Sequence, residues 1–199
     1  MEKKFSFPIR NCTAIILAGG KSSRMPIDKK YLKIENSFLL DRVISNASDL
    51  FENIIVSTSE EFSSEHKNIK IVLDTYINRG PLAGILTGLK NSLNDNNFII
   101  AADIPEISKE LISELYSFTE KHEIVVPRSG EKKLEPLFGF YKKSIIPYIE
   151  ENLSKGNNKV LDIYKHSLLK IVDMKRSDWF FNLNTEPDLL SYLSYLGKK

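Results

Sequence analysis

The sequence predicts an α/β fold, a mostly parallel (mixed) sheet with helices on both faces. Two observations carry that expectation. Short runs rich in β-branched residues alternate with longer runs whose apolar residues recur at helical spacing. Several of the short runs are apolar on consecutive residues, as strands covered on both faces must be. Such alternation argues for a sheet between helical layers, whose ligands bind beyond the carboxyl ends of the strands.

In chain order, the strands are expected at "TAIIL" (13–17), "NIIVST" (53–58), "IKIVL" (69–73), "NFIIAA" (97–102) and "EIVVP" (123–127). Between them, "SFLLDRVISNASDL" (37–50), "PLAGILTGLKNSL" (81–93) and "SKELISELYSFTEKH" (108–122) read as helices. Pro81 suits a first helical turn, and Ser108 is an N-cap with Glu110 placed to complement the helix dipole. Further on, "EPLFGFY" (135–141), "LLKIVD" (168–173) and "DWFFNL" (178–183) read as strands. "KSIIPYIEENL" (143–153), with Pro147 near its start, and "NKVLDIYKH" (158–166) read as helices. A last helix is expected after Thr185, whose hydroxyl caps it while Asp188 sits in the first turn. With no repeat, low-complexity tract or convincing linker, residues 1–199 are expected to form one domain. The loop-like "RSGEKK" (128–133) is too short to separate two.

Bulk properties exclude several function classes. Lys and Arg total 28 against 26 Asp and Glu, a net charge of +2, which gives no basic footprint for nucleic acid. The single cysteine, Cys12, cannot form an internal disulfide and fits a reducing compartment. The basic start is followed by an apolar run too short for a signal peptide, and no segment approaches the roughly 20 apolar residues of a spanning helix. A cytoplasmic chain without a membrane partner is expected.

"LAGGKSSRM" (17–25) contains the last letters of a P-loop, Gly20-Lys21-Ser22, but Ile15 stands where that motif needs its first glycine. A Gly-Gly turn after a strand, followed by Lys21, Arg24, Lys29 and Lys30, still supplies backbone donors and cations for an anion. Ser57 ends one strand, and Asp74 and Asp103 follow two others. Taken singly, each of these residues has an ordinary explanation as a turn, a cap or a solvated charge. In a parallel sheet they share one edge, and phosphate-binding groups beside carboxylates call for Mg²⁺ between them. The residues therefore point to a nucleoside triphosphate site. The three histidines, His66, His122 and His166, lack ligand spacing, so zinc is not expected. Trp179, Phe180 and Phe181 read as core strand, with a ligand-stacking platform as the alternative.

"LAGGKSSRMPIDKKYL" resembles the signature of the molybdenum cofactor guanylyltransferases of the MobA type. "GPLAGILTGL", the Asp-x-Pro of "AADIPEI", "EPLFGFY" and "FNLNTEPDL" follow in that family's order, from about Thr13 to Leu190. The resemblance implies a Rossmann-like nucleotidyltransferase fold, with a nucleotide-binding half near 13–127 and an acceptor-side half near 128–199. It implies Mg²⁺-dependent transfer of GMP from GTP to a molybdopterin cofactor. Leu17, Ala18, Gly19 and Gly20 would lie against the nucleotide, with Ser57 and Asp74 contacting it and Lys29 on the phosphates. Asp103 would bind Mg²⁺, with Asn184 near the metal. Arg24 and Lys29 would stabilise the leaving pyrophosphate, making Arg24, Lys29 and Asp103 the catalytic set. Transient contact with molybdoenzymes or cofactor-delivery proteins would follow.

Two departures stand out. Pro26 occupies a position where the family usually has glycine, which fixes φ and removes an N–H donor. Ser57 stands where asparagine is commoner. Cytidylyl transfer to the same pterin and sugar-phosphate nucleotidyl transfer are the rival activities. A non-enzymatic nucleotide sensor would have no need of Lys29 or Asp103. A dinucleotide oxidoreductase is disfavoured because G-x-G-x-x-G is absent after the first strand.

Overall fold

The computed structural model describes residues 6–19, 32–76, 78–130, 133–175 and 181–197. The first strand, β1 (Ile9–Leu17), is buried without a break from Cys12 to Leu17. Consecutive burial requires cover on both faces, and β1 has it. Ala14 and Ile16 enter one core while Ile15 and Leu17 enter the other, following the two-residue period of a strand.

The next two strands, β2 (Lys33–Ile34) and β3 (Ser37–Phe38), form a small separate hairpin around Glu35, whose φ is 55°. The chain continues through α1 (Leu39–Ser48), β4 (Phe51–Thr58), β5 (Ile69–Leu73), α2 (Gly80–Asn91) and β6 (Asn96–Ala101). After α3 (Lys109–Tyr116) come β7 (Ile124–Ser129), β8 (Lys133–Leu134), β9 (Phe138–Lys142), α4 (Ile146–Ser154), β10 (Leu169–Asp173) and α5 (Glu186–Leu196). The main sheet has eight strands in the order β10-β7-β9-β6-β1-β4-β5, with β8 attached to β7. β1 pairs in parallel with both β4 and β6, and β4 with β5. β9 runs antiparallel between β6 and β7, and β7 pairs in parallel with β10.

Helices α1 and α3 cover one face, packed over an aromatic centre of Phe51, Phe98, Phe138 and Phe140. Phe98 stacks on Phe51 at 5.2 Å and meets Phe138 edge-on at 4.9 Å, both favoured ring geometries. Helices α2 and α4 cover the other face, over Ile15, Leu17, Ile55 and Ile99. Among the described residues, no helix is long and apolar enough to cross a membrane.

The strand at 69–73 has the predicted bounds, and the other early strands shift by a few residues. Larger differences have local causes. Ser37 and Phe38 pair in the hairpin instead of opening the helix. The expected helix at 108–122 ends at Tyr116, where the Thr119 hydroxyl takes the Tyr116 carbonyl and His122 Nδ1 lies 3.0 Å from the Phe118 carbonyl. Segment 143–153 opens as a 3₁₀ turn and becomes α-helical at Ile146, one residue before the proline. Segment 158–166 is a 3₁₀ helix, Val160–His166. In "EPLFGFY" the first three residues turn, with the Phe138 N–H donating to the Glu135 carbonyl at 3.1 Å, so the strand starts at Phe138. Phe181, Asn182 and Leu183 lie in no strand, and Trp179 and Phe180 fall outside the described residues. The cap at Ser108 and the Thr185–Asp188 capping box form as expected.

Tyr141 on β9 is fully buried, yet its hydroxyl is satisfied twice. It donates to the Pro136 carbonyl at 2.6 Å and lies 2.8 Å from the Tyr164 hydroxyl. Tyr141→Phe leaves both partners short of a hydrogen bond inside the core. Urea unfolding should show a loss of about 1–3 kcal/mol with the circular dichroism spectrum retained.

Candidate active site

The sheet grows from β1 toward β4 and β5, then the chain returns to pair β6 on the opposite flank of β1. This reversal opens a crevice at the carboxyl ends. Leu17 is opposite Ser57 on one side and Ala101 on the other. Beyond it, the Ala18 N–H donates to the Ser57 carbonyl at 2.8 Å, and the Ala102 N–H to the Leu17 carbonyl at 3.1 Å. The Asp74 N–H donates to the Thr58 carbonyl at 2.8 Å. The backbone thus gathers Leu17, Ala18, Gly19, Ser57, Asp74 and Asp103 at one edge, as expected from the strand order.

On the β4–β5 side, the buried Ser57 hydroxyl donates to Asp74 Oδ1. Gly19 lies against this pair, and a Cβ there would stand 2.8 Å from Asp74 Oδ2, close enough that the carboxylate would have to shift. Gly84 brings the start of α2 onto the same group, with a Cβ position 3.4 Å from Ser57 Oγ. Burial pushes the Asp74 carboxyl above the usual aspartate range, and the Ser57 hydrogen bond offsets part of that rise.

On the β6 side, Asp103 stands half-buried two residues past the strand. The Ile104 N–H turns back to the Ala101 carbonyl at 3.1 Å, and Pro105 then disfavours helical geometry at Ile104. The Leu183 N–H donates to the Asp103 carbonyl at 2.9 Å, which brings the Asn-x-Asn-Thr segment to this exit. The next N–H, that of Asn184, is held by Asp188 Oδ2 at 3.0 Å, an extension of the α5 capping box. The turn at 135–137 lies beside the same exit, because the Ala101 N–H donates to the Leu137 carbonyl at 3.0 Å.

Gly20, Lys21, Arg24, Pro26, Lys29 and Lys30 lie outside the described residues. The histidines are dispersed: His66 lies 3.7 Å from Asp41, His122 meets a carbonyl, and His166 stacks on Tyr148. Among the described residues, no group of three or more His, Cys, Asp or Glu could hold a metal. Two features escaped the sequence reading. Glu135 is a buried carboxylate that accepts from Ser129 Oγ at 2.7 Å and pairs with Lys133 at 3.0 Å. Arg42, Glu106 and Tyr192 converge behind the Asp103 loop. A glutamate before proline inside an apolar stretch was the available signal for Glu135, and no local signal announced the other three.

At this switch point a glycine turn lies against Ser57–Asp74 on one flank and an Asp-x-Pro exit forms the other. Residues 14–170 match the MobA-like NTP transferase domain, and the chain belongs to that family. A relative from Natranaerobius thermophilus, named "Probable molybdenum cofactor guanylyltransferase", is 36% identical, with 94% of this chain and 98% of the relative covered. One of the same name from Carboxydothermus hydrogenoformans is 32% identical, with 96% and 100% covered. Among solved structures, molybdopterin-guanine dinucleotide biosynthesis protein A from Archaeoglobus fulgidus superimposes with a TM-score of 0.81 at 21% identity. That match covers 94% of this chain and all of the other.

The raised Asp74 carboxyl carries a stability consequence. A group whose folded pKa lies above its unfolded value favours the folded state below the unfolded pKa, and that advantage disappears as pH rises through the folded one. At pH 7 the charged Asp74 is therefore a net cost to the ligand-free protein. Asp74→Asn should raise the urea midpoint at pH 7, and the difference from the wild type should shrink as pH falls toward ~4. A difference that is constant with pH would show that the carboxyl does not titrate in this way.

Proposed function

We propose that this chain transfers GMP from GTP to a molybdopterin cofactor, forming molybdopterin guanine dinucleotide and pyrophosphate. The observation that carries the reading is the meeting of Gly19, Ser57 and Asp74 with Asp103 across one crevice. It stands in a chain that aligns over 94% and 96% of its length with relatives bearing the name "Probable molybdenum cofactor guanylyltransferase".

In this reading residues near 13–127 form the nucleotide-binding half and those near 128–199 the acceptor-side half. Leu17, Ala18, Gly19 and Gly20 line the nucleotide, while Ser57 and Asp74 hold its base or ribose. A pterin phosphate oxyanion attacks the α-phosphorus of GTP. The new bond is P–O, the bond from the α-phosphorus to the bridging oxygen breaks, and pyrophosphate leaves with that electron pair. Arg24 and Lys29 neutralise the leaving pyrophosphate, and no covalent protein intermediate is required.

The donor set at the β6 exit fits Mg²⁺. Asp103 offers a carboxylate and Asn184 an amide carbonyl, hard oxygen donors that need only one or two protein ligands when phosphates complete the shell. Bound there, Mg²⁺ would withdraw charge from the phosphate oxygens. The chain would work in the cytoplasm and meet molybdoenzymes or cofactor-delivery proteins transiently.

Ligand preference is visible as stability, because a ligand that binds only the folded state raises the melting temperature. GTP with Mg²⁺ should raise it more than CTP with Mg²⁺, and an equal or larger shift with CTP would favour cytidylyl transfer. Asp103→Asn keeps the size and a carbonyl oxygen but removes the charge. It should leave the fold intact and slow transfer at least ~100-fold, which is ~2.7 kcal/mol of barrier. Pyrophosphate release across a Mg²⁺ titration measures it, and activity within a few-fold of wild type would remove Asp103 from the metal site.

A further inference from the structure

Two residues past Asp103, the exit loop of β6 is gripped from behind by two helices. Asn46 of α1 donates from Nδ2 to the Pro105 carbonyl at 2.6 Å. The next residue, Glu106, accepts the Tyr192 hydroxyl of α5 at 2.6 Å and pairs with Arg42 Nη2 of α1 at 3.4 Å. Arg42 also lies over the Tyr192 ring, 5.5 Å from its centroid, and reaches Glu35 in the hairpin turn at 3.4 Å. The Arg42 and Glu106 side chains are only 21% and 16% exposed, so each charge depends on the other and on Tyr192 rather than on water. The same arginine therefore ties together the hairpin that follows residues 20–31 and the loop that carries Asp103.

We propose that Arg42, Glu106 and Tyr192 form a positioning bracket that holds the Asp103 loop in place and thereby sets the affinity of the site for its divalent cation. The inference rests on the reading of Asp103 as the metal-binding residue. Its strand side is anchored by the Ile104 and Leu183 N–H groups, and its far side by Asn46 and Glu106. Between these anchors lie a buried Ile104 and a proline of fixed φ, so few soft backbone torsions remain to let the loop that carries Asp103 drift. The bracket has a second effect. Glu106 is a carboxylate three residues from Asp103, and its engagement with Arg42 and Tyr192 keeps it from competing for the cation. Partners that orient a ligand in this way tune metal affinity without touching the metal.

Tyr192→Phe tests this with the least disturbance, since the ring stays against Arg42 and Phe181 while the hydroxyl's bonds to Glu106 and Arg42 are lost. Mn²⁺ serves as the probe, with free Mn²⁺ followed by electron paramagnetic resonance in the presence of GTP. The variant should bind Mn²⁺ about ten-fold more weakly, while its GTP affinity in EDTA matches the wild type. A merely structural role would lower the melting temperature and leave the Mn²⁺ affinity unmoved, and that result would overturn the proposal. Arg42→Met, which keeps an apolar stem on the Tyr192 ring, should weaken Mn²⁺ in the same direction, and the double variant should lose less than the two losses combined. Additive losses would overturn the bracket as a unit. Asp103→Asn runs alongside: wild-type Mn²⁺ binding there defeats the metal assignment itself. Weakened binding in Asp103→Asn beside unchanged Tyr192→Phe defeats only the bracket.

Discussion

Leu17 at the end of β1 is opposite Ser57 on one flank and Ala101 on the other, and this double register determines where the polar exits meet. A slip of one residue would move an exit by about 3.3 Å along the strand. It would also turn Ile15 and Leu17 toward the aromatic face and Ala14 and Ile16 toward α2, exchanging two cores of different shape. Packing on both faces thus enforces the register, and the register places Gly19, Asp74 and Asp103 around one crevice. The arrangement of the crevice is a by-product of burying one apolar strand.

Against that apolar sheet, four carboxylates near the edge besides Asp103 are each handled differently. Asp188 is spent on the N–H groups of Asn184 and Thr185, stabilising the start of α5. Glu135 is buried and satisfied by Ser129 and Lys133. Glu106 is neutralised by Arg42 and bonded by Tyr192. Asp74 is the exception, held among the described residues by a serine hydroxyl and raised by burial. A polar group kept at a cost beside a crevice is where local stability gives way to ligand binding.

Much of this was legible in the sequence. "TAIIL" and "NFIIAA" announce buried strands because an unbroken apolar run has few other uses, and the polar residue that follows a strand falls at the sheet edge by geometry. Ser57, Asp74 and Asp103 could be grouped on that basis alone. The hairpin at 33–38 could not, because two-residue strands carry no period. Nor could the 3₁₀ form of 160–166, whose apolar spacing also satisfies an α-helix. Arg42, Glu106 and Tyr192 were hidden for another reason: Arg42 and Glu106 are 64 positions apart, and Glu106 and Tyr192 86. Contacts so distant leave no trace in local pattern, and only the closed fold reveals them.

The reversed direction of β9 affects how the crevice is walled. Its antiparallel neighbour β6 contributes the loop by which the chain leaves the sheet toward α3, so changing that loop also alters how the helix is launched. β9 instead contributes the turn by which the chain arrives, Glu135 to Leu137, secured by the Leu137 carbonyl and the Tyr141 hydroxyl. The Leu137 carbonyl joins this arriving turn to the Ala101 N–H at the end of β6. The crevice is therefore walled by one segment that leads into a helix and one that follows none, set side by side by that backbone hydrogen bond.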